Sequence, residues 1–328
     1  MKRVYLGILA SSVLVGACGG GDDPFGVSGP DPVSDSFPIT SDNGVNVARL
    51  SYEAALSSGG FAEIGDLPVA AAPDDGSALP YIAPIGEDLM LDVISMIPFG
   101  PEEFECFADG SYFLSGDIAD PFSPNPTPGD TYRIEYVNCN DSESVINGVM
   151  DMTITDFSGD FALGTYMLAV DAVVTSLSIV TADDTYTGDG DTTITVDTTD
   201  APFVSTSVSG TTMSESSNAG SRTLDNYGST TTLDGNQVPE EFTMTAYGTL
   251  GSSELPAVVD YTTPTVFRGF VPAYPHEGEL LAEGDNSTAR LIVLDAEMVR
   301  VEIDDNADGV VDYSEDMTWD AFLGNDVT

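Results

Sequence analysis

Between Asp304 and Glu315 the chain reads DDNADGVVDYSE. Oxygen-bearing side chains stand at its first, third, fifth, ninth and twelfth positions: Asp304, Asn306, Asp308, Asp312 and Glu315. The carbonyl of Val310 adds a backbone oxygen at position seven, and Gly309 stands at position six, where a chain wrapping an ion must turn sharply. Calcium takes six to eight hard oxygen ligands at about 2.3–2.6 Å, and this spacing offers that number from one short segment. The bland alternative is an acidic hairpin turn that needs no ion.

The stretch resembles an EF-hand calcium loop at each diagnostic position, with Val311 as the apolar anchor at position eight. That resemblance implies Ca2+ held by Asp304, Asn306, Asp308, Val310, Asp312 and Glu315. The flanks depart from the family. EMVRVEI before the loop alternates like a strand, and DMTWDAFL after it suits a short helix or a strand. The loop is therefore expected on a β-hairpin, without the helix opening of calcium sensors. Glu315 is the ligand that a continuing strand would turn away. An affinity in the range of extracellular modules would make the ion a structural staple. A second acidic stretch, DDTYTGDGD from Asp183 to Asp191, lacks the spacing and reads as a solvated loop.

The elements that must position the loop are mostly strands. From about residue 110 the segments TYRIEYV, MDMTITDF, TTITVDT, EFTMTAYG, ARLIVLD and MVRVEID alternate or are rich in Thr, Val, Ile and Tyr, with Gly, Asp, Asn and Ser between them. Twelve or so short strands with short links predict a mainly β fold: an antiparallel meander forming a large curved sheet or a barrel-like domain. One or two short helices precede it. Val45, Ala48, Tyr52 and Ala55 share a helical face that ends at Gly59 and Gly60. Leu89, Met90, Val93, Met96 and Ile97 make a second stripe before Pro98, after a Pro/Ala-rich loop at 61–85. A weak repeat relates GVMDMTITDFSGD at Gly148 to GDGDTTITVDTTD at Gly188, with six of thirteen positions identical at an offset of forty. Two equivalent strands or plain Thr/Asp bias would both produce it.

The first residues, MKRVYLGILASSVLVGAC, place Lys2 and Arg3 before a twelve-residue apolar run, a secretory signal too short for a comfortable membrane span. Its end, VGAC, resembles the lipobox of bacterial lipoproteins. The resemblance implies cleavage of residues 1–17 and lipid on Cys18. Gly19 in place of Asp after the cysteine points to the outer membrane. Residues 18–42, rich in Gly, Pro, Ser and Asp, read as the lipidated cysteine and a flexible tether, leaving 43–328 as a single β-rich domain that carries the loop at 304–315. With Cys18 acylated and the chain exported, Cys106 and Cys139 are expected as a disulfide.

The net charge is −47, from 55 acidic residues against eight lysines and arginines. Lys2 and Arg3 fall in the signal, so six arginines remain. Such a chain is a poor ligand for nucleic acid or anionic lipid surfaces, and cations are its natural counterparts. The sequence holds no G-x-S-x-G, H-E-x-x-H or P-loop. Its one histidine, His276, is too few N/S ligands for a catalytic zinc site. The layout as a whole resembles that of β-rich lipoproteins of Gram-negative bacteria, through the lipobox, the N-terminal helix, CFADGS…YVNC, GELLAEGDNSTARLIVLD and the loop hairpin with Trp319. The function this implies is an outer-membrane-anchored, calcium-binding module with a structural or binding role at the cell envelope, toward an envelope protein, a glycan or a hydrophobic ligand. The alternatives are a carrier holding lipid between sheet and helices, and, as a minor one, a carboxylate-dependent hydrolase.

Overall fold

The computed structural model describes residues 36–60 and 99–324, save for Pro121, Pro124, Asp141, Glu143, Asp183 and Ala219. Residues 1–17, read as a signal, Cys18, the stretch 61–85 read as a loop and the Met-bearing stripe at 87–97 lie outside the described residues.

A helix, α1 (Gly44–Gly60), precedes fourteen strands. These are β1 (Phe99–Glu105), β2 (Asp109–Asp117), β3 (Thr131–Asn140), β4 (Ser144–Asp160), β5 (Thr165–Thr181), β6 (Thr185–Asp197) and β7 (Phe203–Ser217). There follow β8 (Gly220–Asp234), β9 (Glu241–Ser252), β10 (Val259–Phe270), β11 (Pro275–Gly284), β12 (Ser287–Val293), β13 (Met298–Asp304) and β14 (Tyr313–Thr318). A one-turn helix, α2 (Trp319–Leu323), closes the described chain. Each strand pairs with its neighbours in sequence, giving one antiparallel meander in the order β1 to β14. The sheet is open, so of the curved sheet and the barrel expected from sequence it is the curved sheet. Its outer strands are blunted by acid and proline. β1 carries Pro101, Glu102, Glu103 and Glu105, and β14 carries Glu315 and Asp316, which discourages further strand pairing at either edge.

The strands are longer than the pattern suggested, reaching seventeen residues in β4 and β5. They bend because the ladder breaks along a crease that crosses the sheet. The register shifts between Tyr136 and Cys139 on β3, Asn147 and Val149 on β4, Val174 and Leu177 on β5, Gly190 and Thr193 on β6, Asp225 and Gly228 on β8, and Thr262 and Phe267 on β10, while the β7–β8 ladder runs through in register. Asn138, Gly148, Ser176 and Asn226 take positive φ on this line. A bulge leaves backbone groups unpaired, and here the neighbouring strand supplies side-chain partners. Asn138 N–H donates to Asn147 Oδ1 (2.7 Å), Ser176 N–H to Asp189 Oδ1 (2.6 Å), Thr211 N–H to Asp191 Oδ2 (2.8 Å) and Ala246 N–H to Thr263 Oγ1 (2.9 Å). The acidic stretch expected as a solvated loop at 183–191 is therefore corrected: from Thr185 it is strand β6, and Asp189 and Asp191 cap the crease. Tyr227 lies over Gly210 and Tyr247 over Gly228, leaving no room for a Cβ at either glycine.

The two copies of the weak repeat flank β5 at the same level. Thr153 and Thr193 both pair with Asp171, and Ile154 and Ile194 both pair with Val170. The offset of forty residues is thus one strand-pair step across the sheet.

One sheet face is apolar. Ile134, Met152, Val170, Val208, Leu250, Leu280, Leu291 and Val301 are among its buried side chains. The other face pairs hydroxyls and carboxylates across strands, as in Thr193 Oγ1 donating to Asp171 (2.7 Å) and Thr212 Oγ1 to Asp225 (3.0 Å). Against the apolar face, α1 touches seven strands, β7 to β13. Sequence periodicity gave this helix one apolar face. In the structure Val47, Leu50, Ser51, Glu53 and Ala54 are buried as well, so the helix is enclosed nearly all round. Small side chains at Ala48, Ser51, Ala54 and Ala55 let it fit inside the curl of the sheet. Phe37 and Ile39, in the stretch read from sequence as tether, are also buried, and Ile39 N–H donates to Ser287 Oγ (2.6 Å).

Cys106 and Cys139 form the expected disulfide, with Cα atoms 5.4 Å apart. It ties edge strand β1 to β3 across β2. For a loop of 33 residues such a cross-link contributes roughly 3 kcal/mol.

Candidate functional site

The loop read from sequence as a calcium site joins β13 to β14 as a hairpin, as the alternating flank EMVRVEI required. Two residues of positive φ make its turn, Ala307 (φ 53°) and Gly309 (φ 84°). The first of these was not legible in the residue type. Asp304 organises the turn. Its Oδ2 accepts from Gly309 N–H (2.7 Å), and its Oδ1 accepts from Asn306 N–H (3.3 Å) and Asp308 N–H (3.2 Å). Desolvation works against ionisation here, but the N–H groups of Gly309, Asn306, Asp308 and Ala307 together hold the Asp304 carboxyl below the usual carboxylate range. Asp312 closes the hairpin mouth, its Oδ2 accepting from Asp305 N–H (3.0 Å) and Asn306 Nδ2 (3.2 Å). Asp308 Oδ1 accepts from Val310 N–H (2.8 Å).

Asp304, Asn306, Asp308, Val310 and Asp312 thus share one loop. Glu315 does not join them. It lies within β14 opposite Val301, one register step past the Glu302–Ser314 pair, and so on the opposite sheet face from Asp304. Its Oε2 accepts from Tyr313 Oη (2.6 Å). Among the described residues no group of three or more His, Cys, Asp or Glu side chains stands arranged to hold an ion, because the loop carboxylates are turned onto their own backbone.

A second constellation was not found from sequence. Glu53 in α1 is 7% exposed and is shared by two arginines. Arg49 Nη1 donates to its Oε1, and Arg222 Nη2, from the first residues of β8, donates to its Oε2 at 2.6 Å. Arg49 also reaches Glu254 (3.2 Å). Directly across the β7–β8 ladder from Arg222 stands Glu215, only 1% exposed. Its Oε2 and Arg222 Nη1 are buried without a hydrogen-bond partner. Burial pushes the Glu215 carboxyl up to about 7, with Arg222 opposing the shift. Nothing in SVSGTTMSESS marks Glu215 as inward-facing until the bulge in β6–β7 fixes its face.

This raised value has a defined sign. A folded state that holds its proton to higher pH than the unfolded chain has its full stability below the unfolded pKa, near 4.5, and loses it as pH rises toward 7. Glu215→Gln mimics the protonated form. The expected result is no change in stability near pH 4 and a gain of roughly 2–3 kcal/mol above pH 8. Denaturant titrations at both pH values read this directly, and an equal offset at both would show that Glu215 titrates normally.

The six arginines of the described chain are all paired with carboxylates. The only histidine, His276, stacks on Phe270 with ring centroids 5.2 Å apart. Trp319, next to the loop hairpin, is a core residue, 1% exposed. No family model matches the chain, and comparisons with curated proteins and with solved structures find no match.

Proposed function

We propose that the chain is an outer-membrane-anchored lipoprotein whose β domain binds Ca2+ at the β13–β14 hairpin and serves a structural or binding role at the cell envelope. The observation that carries the calcium reading is the loop itself. Five oxygen-bearing positions at EF-hand spacing fall within one hairpin turn, with Gly309 in the left-handed region at position six. The lowered pKa of Asp304 keeps it ionised for a cation. Asp304, Asn306, Asp308, the Val310 carbonyl and Asp312 would hold the ion, and water would take the place assigned to Glu315 unless β14 frays. The anchor reading rests on the residues up to Cys18, and the Cys106–Cys139 bond is consistent with an exported chain. Between a solid module and a lipid carrier, the enclosure of α1 within the curl favours the solid module.

Calorimetric titration of the full chain with calcium, with thermal melts in calcium and in chelator, tests the site. The expected result is one ion bound with sub-millimolar affinity. At about tenfold excess over Kd this adds about 1.4 kcal/mol, or roughly 3 °C in Tm. Asp308→Ala should abolish both effects. Identical melts of wild type and variant in calcium and in chelator would reduce the loop to an acidic turn.

A further inference from the structure

In an antiparallel meander every second turn lies at the same end of the sheet. One end gathers the turns after β2, β4, β6, β8, β10 and β12. Each of these turns, or the strand residue bordering it, exposes a large apolar side chain: Phe122 (94%), Leu163 (77%), Phe203 (39%), Val238 (97%), Phe270 (39%) and Leu294 (40%). The long turn after β2 reaches the same level as its neighbour, because Phe161 N–H donates to Asn125 Oδ1 (3.1 Å). At the opposite end the exposed large apolar side chains are fewer: Phe107 after β1, Val180 near the end of β5, and the Val310–Val311 pair of the acidic loop.

The apolar tips are held in place. Asp120 Oδ1 accepts from Phe122 N–H (3.0 Å), Asp160 Oδ1 from Leu163 N–H (3.2 Å), and Asp234 Oδ1 from Asn236 N–H (2.8 Å) in the turn that carries Val238. A fixed tip loses little freedom on docking, which suits it to recognition. The same turns contain no lysine or arginine, and Asp120, Asp160, Asp200, Glu240, Asp295 and Glu297 stand in or beside them.

We infer that this edge is a docking surface for a basic protein partner, one presenting apolar sockets ringed by lysine and arginine. Charge selects that occupant. A second copy of a chain with a net charge of −47 is repelled, and so is an anionic bilayer. The path of the chain agrees. Asp285 N–H donates to the Phe37 carbonyl (2.9 Å) at the opposite end of the sheet, so the first described residues of the chain lie at the end away from the apolar edge.

The test uses the full chain and a synthetic amphipathic helix of leucine and lysine as the basic apolar probe. Phe122→Ser/Leu163→Ser/Val238→Ser is compared with Phe107→Ser/Val180→Ser, changed at the other end and outside the calcium loop. All five positions are exposed, and matched thermal melts confirm that both variants fold. The edge variant should bind the peptide about tenfold or more weakly than wild type, as expected when central apolar contacts are removed, while the control binds unchanged. Equal binding by wild type and edge variant overturns the inference, as does equal weakening in both variants. Flotation with phosphatidylcholine or phosphatidylethanolamine/phosphatidylglycerol vesicles that falls in the edge variant alone overturns it too, by making the edge a membrane contact. None of these readouts depends on calcium or on acylation of Cys18.

Discussion

Glu53→Ala is expected to destabilise the domain by about 3–5 kcal/mol at pH 5, the usual cost of leaving one partner of a buried ion pair alone. Among the described residues Glu53 is the only carboxylate that joins α1 to β8, through Arg222. Without it Arg222, whose side chain is 15% exposed, keeps its charge inside the protein. Ser51 and Ala54 on the same helix cannot replace a carboxylate. The loss should shrink as pH rises. Glu215 faces Arg222 across the ladder, and an arginine freed from Glu53 favours the ionised form of Glu215, which then neutralises it. Denaturant unfolding at pH 5 and pH 9 measures both effects. A cost below 1 kcal/mol at pH 5 would mean that Arg222 swings into water. A cost independent of pH would mean that Glu215 and Arg222 do not communicate.

Trp319→Ala is the second large effect, also about 3–5 kcal/mol, by the cost of emptying a packed aromatic site. Trp319 opens α2, which is fixed by Thr318 Oγ1 accepting from Ala321 N–H (3.1 Å) and by Gly324 in the left-handed region at φ 80°. Its ring packs against Tyr52 of α1 at 5.0 Å, stacks on Tyr274 at 5.3 Å and meets Phe322 edge-on at 5.9 Å. Tyr52 in turn contacts Phe267 of β10 at 5.4 Å, and its deep burial pushes the phenol well above its ordinary pKa. The cluster thus joins the inner helix, the middle of the sheet and the last hairpin. Trp319→Phe should cost less than half as much, because it keeps most of the contact area and the indole N–H has no partner to lose. If alanine and phenylalanine proved equally costly, the ring stacking would not be the source of the stability. Unfolding that released the β13–β14 hairpin first would appear as lost cooperativity in the melt.

The strands were legible where one face is buried and the other wet. MVRVEID and ARLIVLD alternate because Val299, Val301 and Ile303, and Ala289 and Leu291, face α1 while their neighbours face solvent. Alternation failed in DDTYTGDGD, where glycine and aspartate signal a loop locally. There they serve a crease, in which glycine admits a close neighbour and aspartate replaces lost ladder partners. The helix at Gly44–Gly60 was legible in position but not in its surroundings, since periodicity reports one face and the sheet wraps several.

The loop separates the two levels of information most clearly. The residue types and spacing from Asp304 to Asp312, the glycine at position six and the strand-like flank are local properties, so the chain itself dictated a hairpin with oxygen at fixed positions. The acidity, the signal-like start and the two remaining cysteines are likewise properties of the linear sequence. Tertiary structure decided where β14 begins, and with it that Glu315 points away from Asp304, because strand pairing with β13 sets the face of every residue after Tyr313. It also decided that Glu53, Arg222 and Glu215 meet, since 169 residues separate the first two and only the docking of α1 in the curl brings them within 2.6 Å.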